Sequence, residues 1–280
     1  DGFVDYVLRG DDGKPLAVVE AKKAMKDAEA GKIQAREYAD ALEEFSGQRP
    51  LIFYTNGFDT YIWDDYEDYS PRKIYGFYKK SELQNLIERR ALKKSLTEHT
   101  DFDIAGRPYQ VKAITKVLES FNAKKRKALL VMATGSGKTR VSISIVKALL
   151  ENKWAKRVLF LADRVALVNQ ARDSFNDFLD SSRIEFETYP GMMNKLQRQD
   201  YSTEVKYGVG YFDLIVIDES HRSIYNKYKM IFEYFDAMLL GLTATPKDEI
   251  DRNTYEIFDL PNGEPTEIYD LEQAISEGYL

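Results

Sequence analysis

The run Met132-Ala133-Thr134-Gly135-Ser136-Gly137-Lys138-Thr139 sets small residues, a lysine and a hydroxyl in an order that suits phosphate. Glycines let backbone NH groups turn toward phosphate oxygens, and Lys138 offers a cation to the β and γ phosphates of a nucleotide. Thr139 offers a hydroxyl to Mg²⁺, and a helix beginning here adds its positive end. Residues Thr134 to Thr139 are therefore the expected ATP-binding set, with one departure: Met132 stands where the general pattern has its first glycine. Hydrolysis also needs an acid at the tip of a neighbouring strand. Asp218-Glu219, after the apolar run Leu214 to Ile217, supplies it: Asp218 would hold the metal and Glu219 would polarise the attacking water. Taken alone, a strand ending in Asp-Glu serves as readily as a helix cap. Paired with the glycine loop it completes a nucleotide site.

Asp5, Glu20 and Lys22 form a second candidate centre. If Asp12-Gly13 is a two-residue type I′ turn, facing residues have numbers adding to 25. Asp5 then lies across from Glu20, and Lys22 shares their face. The same register turns Tyr6, Leu8, Ala17 and Val19 to the core side and sets Pro15 opposite Gly10. Two carboxylates on one face could hold Mg²⁺ while Lys22 orients the attacking water and steadies phosphorane charge. The same charges would equally suit a solvated strand face. One turn apart on the following helix, Gln34 and Tyr38 could brace Lys22 or touch a DNA backbone; alternatively Tyr38 joins Leu42 and Phe45 in a packed face.

Two arrays of elements must position these residues. The first reads as two hairpins around a helix: strands Val4 to Leu8 and Leu16 to Ala21, a helix from about Lys23 to Phe45, then Leu51 to Tyr54 and Thr60 to Trp63, with Asn56-Gly57 at the second turn. A strand near Ile74 to Tyr78 and a charged helix through Leu83, Leu86 and Ile87 follow. Tyr61, Trp63, Tyr66 and Tyr69 read as hairpin and core packing, because no basic residues alternate with them. The second array alternates helices with short apolar strands, Ala128 to Val131, Val158 to Leu161, Leu214 to Ile217 and Met238 to Leu242, the pattern of a parallel sheet covered on both faces. The expected division is residues 1–95, a polar linker at 96–106 containing a solvated His99, and residues 107–280.

Composition narrows the chemistry. A chain of 280 residues with 44% hydrophobic content has room for two compact domains, and no apolar run approaches a membrane span. Its start, Asp1-Gly2-Phe3-Val4, lacks an initiator Met and a signal-peptide layout, so a natural N-terminus is expected upstream. Zero cysteines and two histidines, His99 and His221, leave oxygen as the main metal ligand, which favours Mg²⁺. A reducing cytoplasm fits. The net charge of −6 argues against a surface uniformly coated for nucleic acid, yet permits local basic grooves.

In order along the chain, Tyr109-Gln110, Gly-Ser-Gly-Lys-Thr at 135–139, Asp163-Arg164 with Gln170, Asp218-Glu219-Ser220-His221 and Thr243-Ala244-Thr245-Pro246 resemble the first RecA-like domain of a superfamily 2 helicase or translocase. The resemblance spans about Phe102 to Leu280. It implies that Gln110 reads the adenine edge, that Thr243 and Thr245 sense the nucleotide state, that His221 couples Glu219 to the threonine loop, and that Arg164 contacts DNA phosphate. For Arg164, capping a helix start is the open alternative. Asp5 with Glu20-Ala21-Lys22 resembles the Asp, Glu-x-Lys site of restriction-type nucleases, with Val4 where many members have proline; Gln34 and Tyr38 match the Gln-x-x-x-Tyr element that accompanies it. A nuclease directly before such a motor is the layout of the type I restriction enzyme motor subunit. That resemblance implies a restriction-endonuclease-like α/β domain, N-terminally truncated, followed by a RecA-like P-loop domain with a mainly parallel sheet. It further implies ATP and Mg²⁺ as cofactors, and double-stranded DNA and methylation and specificity subunits as partners. The second RecA-like domain of that family is not expected within these residues, so slow ATP turnover is expected of them alone. A type III restriction subunit fits less well, since that family carries its nuclease after the motor. Two alternatives remain: a superfamily 2 repair helicase with a nuclease-like domain that no longer cuts, and a non-enzymatic docking module.

Overall fold

A computed structural model describes residues 4–199, 205–218, 222–245, 250 and 252–280. The chain divides into two compact units, and the division does not follow chain order throughout. Unit 1 comprises Asp1–Leu92, Lys206–Tyr211 and Glu233–Asp236; unit 2 comprises Lys93–Val205, Phe212–Phe232 and Ala237–Leu280.

Unit 1 is built on a five-stranded sheet in chain order: β1 (Tyr6–Arg9), β2 (Pro15–Ala21), β3 (Leu51–Thr55), β4 (Thr60–Trp63) and β5 (Arg72–Ile74). All neighbours are antiparallel except β2 and β3, which run parallel because helix α1 (Lys32–Ser46) carries the chain between them. Ala35 and Ala39 have no side chain to hold α1 away, and they close on Val18 and Ile52 to make a small fully buried cluster. On the other face Phe77 and Tyr78 pack against Phe53. Helix α2 (Lys80–Leu92) completes the main run, and Asp236 receives the Arg72 guanidinium at 2.6 Å and the Tyr78 hydroxyl.

Several expectations for this unit are corrected. The helix starts at Lys32 rather than near Lys23; residues 23–27 form a loop, and a 3₁₀ turn at Ala28–Gly31, capped by Asp27, precedes the helix. The first hairpin does not turn on a two-residue Asp12-Gly13 loop. Gly13 takes φ +77° and donates its NH to Gly10 O at 3.1 Å, a wider turn ending in a left-handed glycine, with a register shift between Leu8 and Arg9. Pairs up to Leu8↔Ala17 keep the expected sum, but Pro15 faces Arg9, not Gly10. Tyr6 and Leu8 are 63% and 37% exposed because β1 is an edge strand, whereas β2 is buried on both faces. The strand expected near Ile74 to Tyr78 ends at Ile74.

Unit 2 contains α3 (Pro108–Asn122), β6 (Lys127–Met132), α4 (Lys138–Glu151), β7 (Val158–Ala162), α5 (Val165–Asn176), β8 (Ile184–Thr188), α6 (Tyr189–Gln197), β9 (Leu214–Asp218), α7 (Arg222–Tyr234, its end in unit 1), β10 (Met238–Thr243), α8 (Arg252–Ile257), β11 (Glu267–Tyr269) and α9 (Leu271–Ser276). Its six strands run β11-β6-β10-β9-β7-β8, every recorded pair parallel. Central strands are apolar along their length, as burial on both faces demands. Residues 96–106 are more than a polar linker here: Leu96, Ile104 and Ala105 are buried in this unit's core, and Trp154 Nε1 donates to Lys94 O at 2.8 Å. His99 is exposed.

Candidate functional site

In unit 1 the chemistry gathers under α1. Glu20 lies two residues beyond Val18 on the same face of β2, so the helix that covers Val18 also covers Glu20, which is 3% exposed. Such burial of a carboxylate requires a partner. Lys22 Nζ supplies one, 2.6 Å from Glu20 Oε1, and donates as well to Gln34 Oε1 at 2.7 Å. Gln34 Nε2 in turn donates to Tyr38 Oη at 2.8 Å. Glu20, Lys22, Gln34 and Tyr38 thus form one hydrogen-bonded chain in which the amide fixes the ammonium. Among the described residues Glu20 Oε2, which is buried, has no hydrogen-bond partner. Asp5 lies one step beyond the Tyr6↔Val19 pair, across from Glu20, and is exposed; its Oδ2 accepts from Ala21 NH at 2.8 Å. An orphaned buried carboxylate oxygen beside a second acid fits a hard cation. Among the described residues no group of three or more His, Cys, Asp or Glu side chains converges on a metal position.

In unit 2 the loop from β6 to α4 has the cradle shape its composition implies. Gly135 and Gly137 adopt φ +83° and +89°. A Cβ at Gly137 would lie 2.5 Å from Gln110 Nε2, so both conformation and space demand glycine there. Helix α4 begins at this glycine with no side-chain cap, which leaves its first NH groups for an anion. Lys138 Nζ reaches back to Met132 O at 3.3 Å; Thr134 and Thr139 are exposed, and Ser136 is buried with its NH and hydroxyl on Ala133 O. Gln110 lies against this loop. Its Nε2 donates to Ser136 O at 2.9 Å and its Oε1 accepts from Arg107 NH at 3.3 Å, so the amide braces the loop.

Asp218 closes β9, half-buried, level with Leu242 of β10, which is level with Leu130 of β6. Because all strands are parallel, Asp218 and the glycine loop share one edge of the sheet, with the end of β10 between them. Thr243, at that end, is fully buried and its hydroxyl accepts from Thr245 NH at 3.1 Å. Arg164 precedes α5, is 81% exposed beside Asp163, and makes no side-chain capping bond. Glu219 and His221 lie outside the described residues, as do Ser220 and Pro246.

Sequence reasoning missed the aromatic support of the cradle. Tyr109 Oη donates to Ser136 O at 2.9 Å while its ring lies flat on Tyr269, centroids 3.7 Å apart. Tyr269 also accepts Ala133 NH on its carbonyl, and burial with the bond to Glu277 pushes its phenol up to about 12. Tyr109 was visible beside Gln110. Tyr269 sits in a three-residue strand with no periodicity to reveal it.

A glycine-rich strand-loop-helix on a parallel sheet, with an acidic strand end on the same edge, defines a P-loop domain of RecA-like fold. Residues 103–248 match the family described as "Type III restriction enzyme, res subunit", and residues 2–70 match "Type I restriction enzyme R protein N terminus". Over 310 aligned positions the chain is 32% identical to the type I restriction enzyme EcoAI endonuclease subunit of Escherichia coli, covering 99% of this chain and 36% of that protein. The EcoKI endonuclease subunit of Escherichia coli strain K12 is 27% identical, covering 100% and 30%. A fragment of an HsdR subunit of a type I restriction enzyme from Vibrio vulnificus YJ016 superposes with a TM-score of 0.50 at 29% identity, covering 98% of this chain and 51% of that one. The chain belongs to the family of that res-subunit model and, with the R-protein region at residues 2–70, stands among type I R subunits. It spans about a third of the length of the curated relatives it matches.

Proposed function

We propose that this chain supplies the nuclease and the first motor domain of a type I restriction subunit, which hydrolyses ATP to move double-stranded DNA and cleaves it in complex with methylation and specificity subunits. The observation that carries the reading is Glu20: a buried carboxylate with one oxygen on Lys22 and the other without a partner among the described residues. A buried carboxylate oxygen left open, across from a second acid, suits a cation. Asp5 and Glu20 would hold Mg²⁺, which when bound polarises the phosphodiester and makes its attacking water more acidic. Lys22, held by Glu20 and Gln34, presents an ammonium to the developing charge on phosphorus. In the motor, Lys138 would neutralise the β and γ phosphates, Thr139 and Asp218 would hold the nucleotide's Mg²⁺, and Glu219 would orient water. Thr243 and Thr245, at the end of the strand between β6 and β9, are suited to link the nucleotide to the rest of the motor, and exposed Arg164 is suited to a DNA phosphate.

Asp5→Ala in the full-length subunit, assembled with its partners, tests the nuclease assignment by plasmid nicking. Loss of nicking with ATP hydrolysis retained is the expected result. Persistent cutting would remove Asp5 and its face from the active site and favour a nuclease fold used only to bind or dock.

A further inference from the structure

Gly31 takes φ −91° and ψ −11°, ordinary helical values that any residue adopts. Space, not conformation, favours glycine: a Cβ there would lie 3.1 Å from Glu20 Cγ and 3.3 Å from Lys22 Cε, so both side chains would have to give by a few tenths of an ångström. The 3₁₀ turn that ends at Gly31 therefore rests directly on the two side chains of the cleavage centre. Its height is fixed from the other side. Tyr54 is the parallel-strand neighbour of Glu20, fully buried, its ring flat on Tyr61 with centroids 5.0 Å apart. Its hydroxyl donates to Glu29 Oε1 at 2.7 Å, and Glu29 is anchored in the turn by its NH on Asp27 Oδ1 at 3.0 Å. Burial and the Glu29 carboxylate hold the Tyr54 phenol well above its ordinary value, so it remains a donor throughout the working pH range.

We infer that Tyr54, Glu29 and Gly31 act as a positioning strut for the nuclease: the phenol–carboxylate bond ties the turn to β3, and Gly31 is the bearing surface that limits where Glu20 and Lys22 can move. None of the three need touch metal or DNA. Their effect is on the metal affinity of Glu20, since a carboxylate displaced by a few tenths of an ångström no longer meets its cation with full strength. This rests on the nuclease reading of Asp5 and Glu20.

The test uses the full-length subunit. Mg²⁺ alone is titrated calorimetrically into nucleotide-free protein, and the Mg²⁺ dependence of cleavage and of ATP hydrolysis is recorded in the same reactions of the assembled enzyme. Gly31→Ala and Tyr54→Phe are each expected to weaken Mg²⁺ binding by about ten-fold, the usual effect of losing a group that orients a metal ligand, and to move the cleavage midpoint with it while the ATPase curve stays in place. Glu29→Ala should follow Tyr54→Phe, and Glu29→Gln, which keeps an acceptor for the hydroxyl, should restore binding. Should Gly31→Ala fail to fold, Tyr54→Phe, which removes one oxygen atom, decides. Wild-type Mg²⁺ affinity in Tyr54→Phe overturns the strut. Unchanged Mg²⁺ binding and cleavage in Glu20→Ala would instead overturn the nuclease reading beneath it.

Discussion

Lys22 and Glu20 illustrate how a buried charge can be read by its removal. Glu20 is taken out of water and compensated by Lys22 at 2.6 Å, so the two side chains depend on each other energetically. Truncating the cation leaves an uncompensated buried carboxylate, whereas truncating both removes the charge together with its partner. In metal-free buffer, Lys22→Ala should therefore lower stability by up to about 3 kcal/mol, and the double variant with Glu20→Ala should recover part of that loss. Chemical denaturation of both proteins measures it. A double variant less stable than Lys22→Ala would mean that Glu20 contributes through packing rather than charge. Both proteins should be inactive in cleavage, which separates the stability effect from the catalytic one.

The glycine loop carries its own prediction. Ala at 137 would have to adopt φ +89° and push its Cβ into the Gln110 amide at 2.5 Å, breaking the bond from that amide to Ser136 O. Gly137→Ala should weaken ATP binding by at least about ten-fold, because a strained left-handed alanine of roughly 1–3 kcal/mol is added to the loss of the brace. Equilibrium binding of a fluorescent ATP analogue checks it; wild-type affinity would mean that the loop has another bound conformation. Most of the motor's frame could be read in advance, since Ala128 to Val131, Leu214 to Ile217 and Met238 to Leu242 are apolar runs that only a covered parallel sheet accommodates. The edge strands could not. Ile184–Thr188 alternates apolar with acidic residues and β11 has three residues, too few for any period. Alternation placed Asp5 across from Glu20, but it mistook the turn and turned Tyr6 and Leu8 inward. The sequence has no local mark that β1 lies at the sheet edge while β2 is covered twice. Nor did it reveal that Gln110 serves the loop, because an amide's partner depends on long-range packing against Ser136.

Two units, each with its own core, each carry one of the two proposed sites. The first is centred on Val18, Ile52, Ala35 and Ala39, the second on the six-stranded parallel sheet. Double-stranded DNA, the proposed substrate of both, meets a chain of net charge −6, so association must rely on local cations such as Arg164 and falls with salt according to how many are engaged. The most direct measurement is a paired assay of ATP hydrolysis and DNA cleavage for Glu20→Ala and Lys138→Ala in the fully assembled enzyme. Glu20→Ala should abolish cleavage with hydrolysis intact, and Lys138→Ala should abolish both, since in the proposed function DNA is moved by ATP before it is cut. A Glu20→Ala enzyme that still cuts DNA, or a Lys138→Ala enzyme that still hydrolyses ATP, would contradict the assignment of one chemistry to each unit.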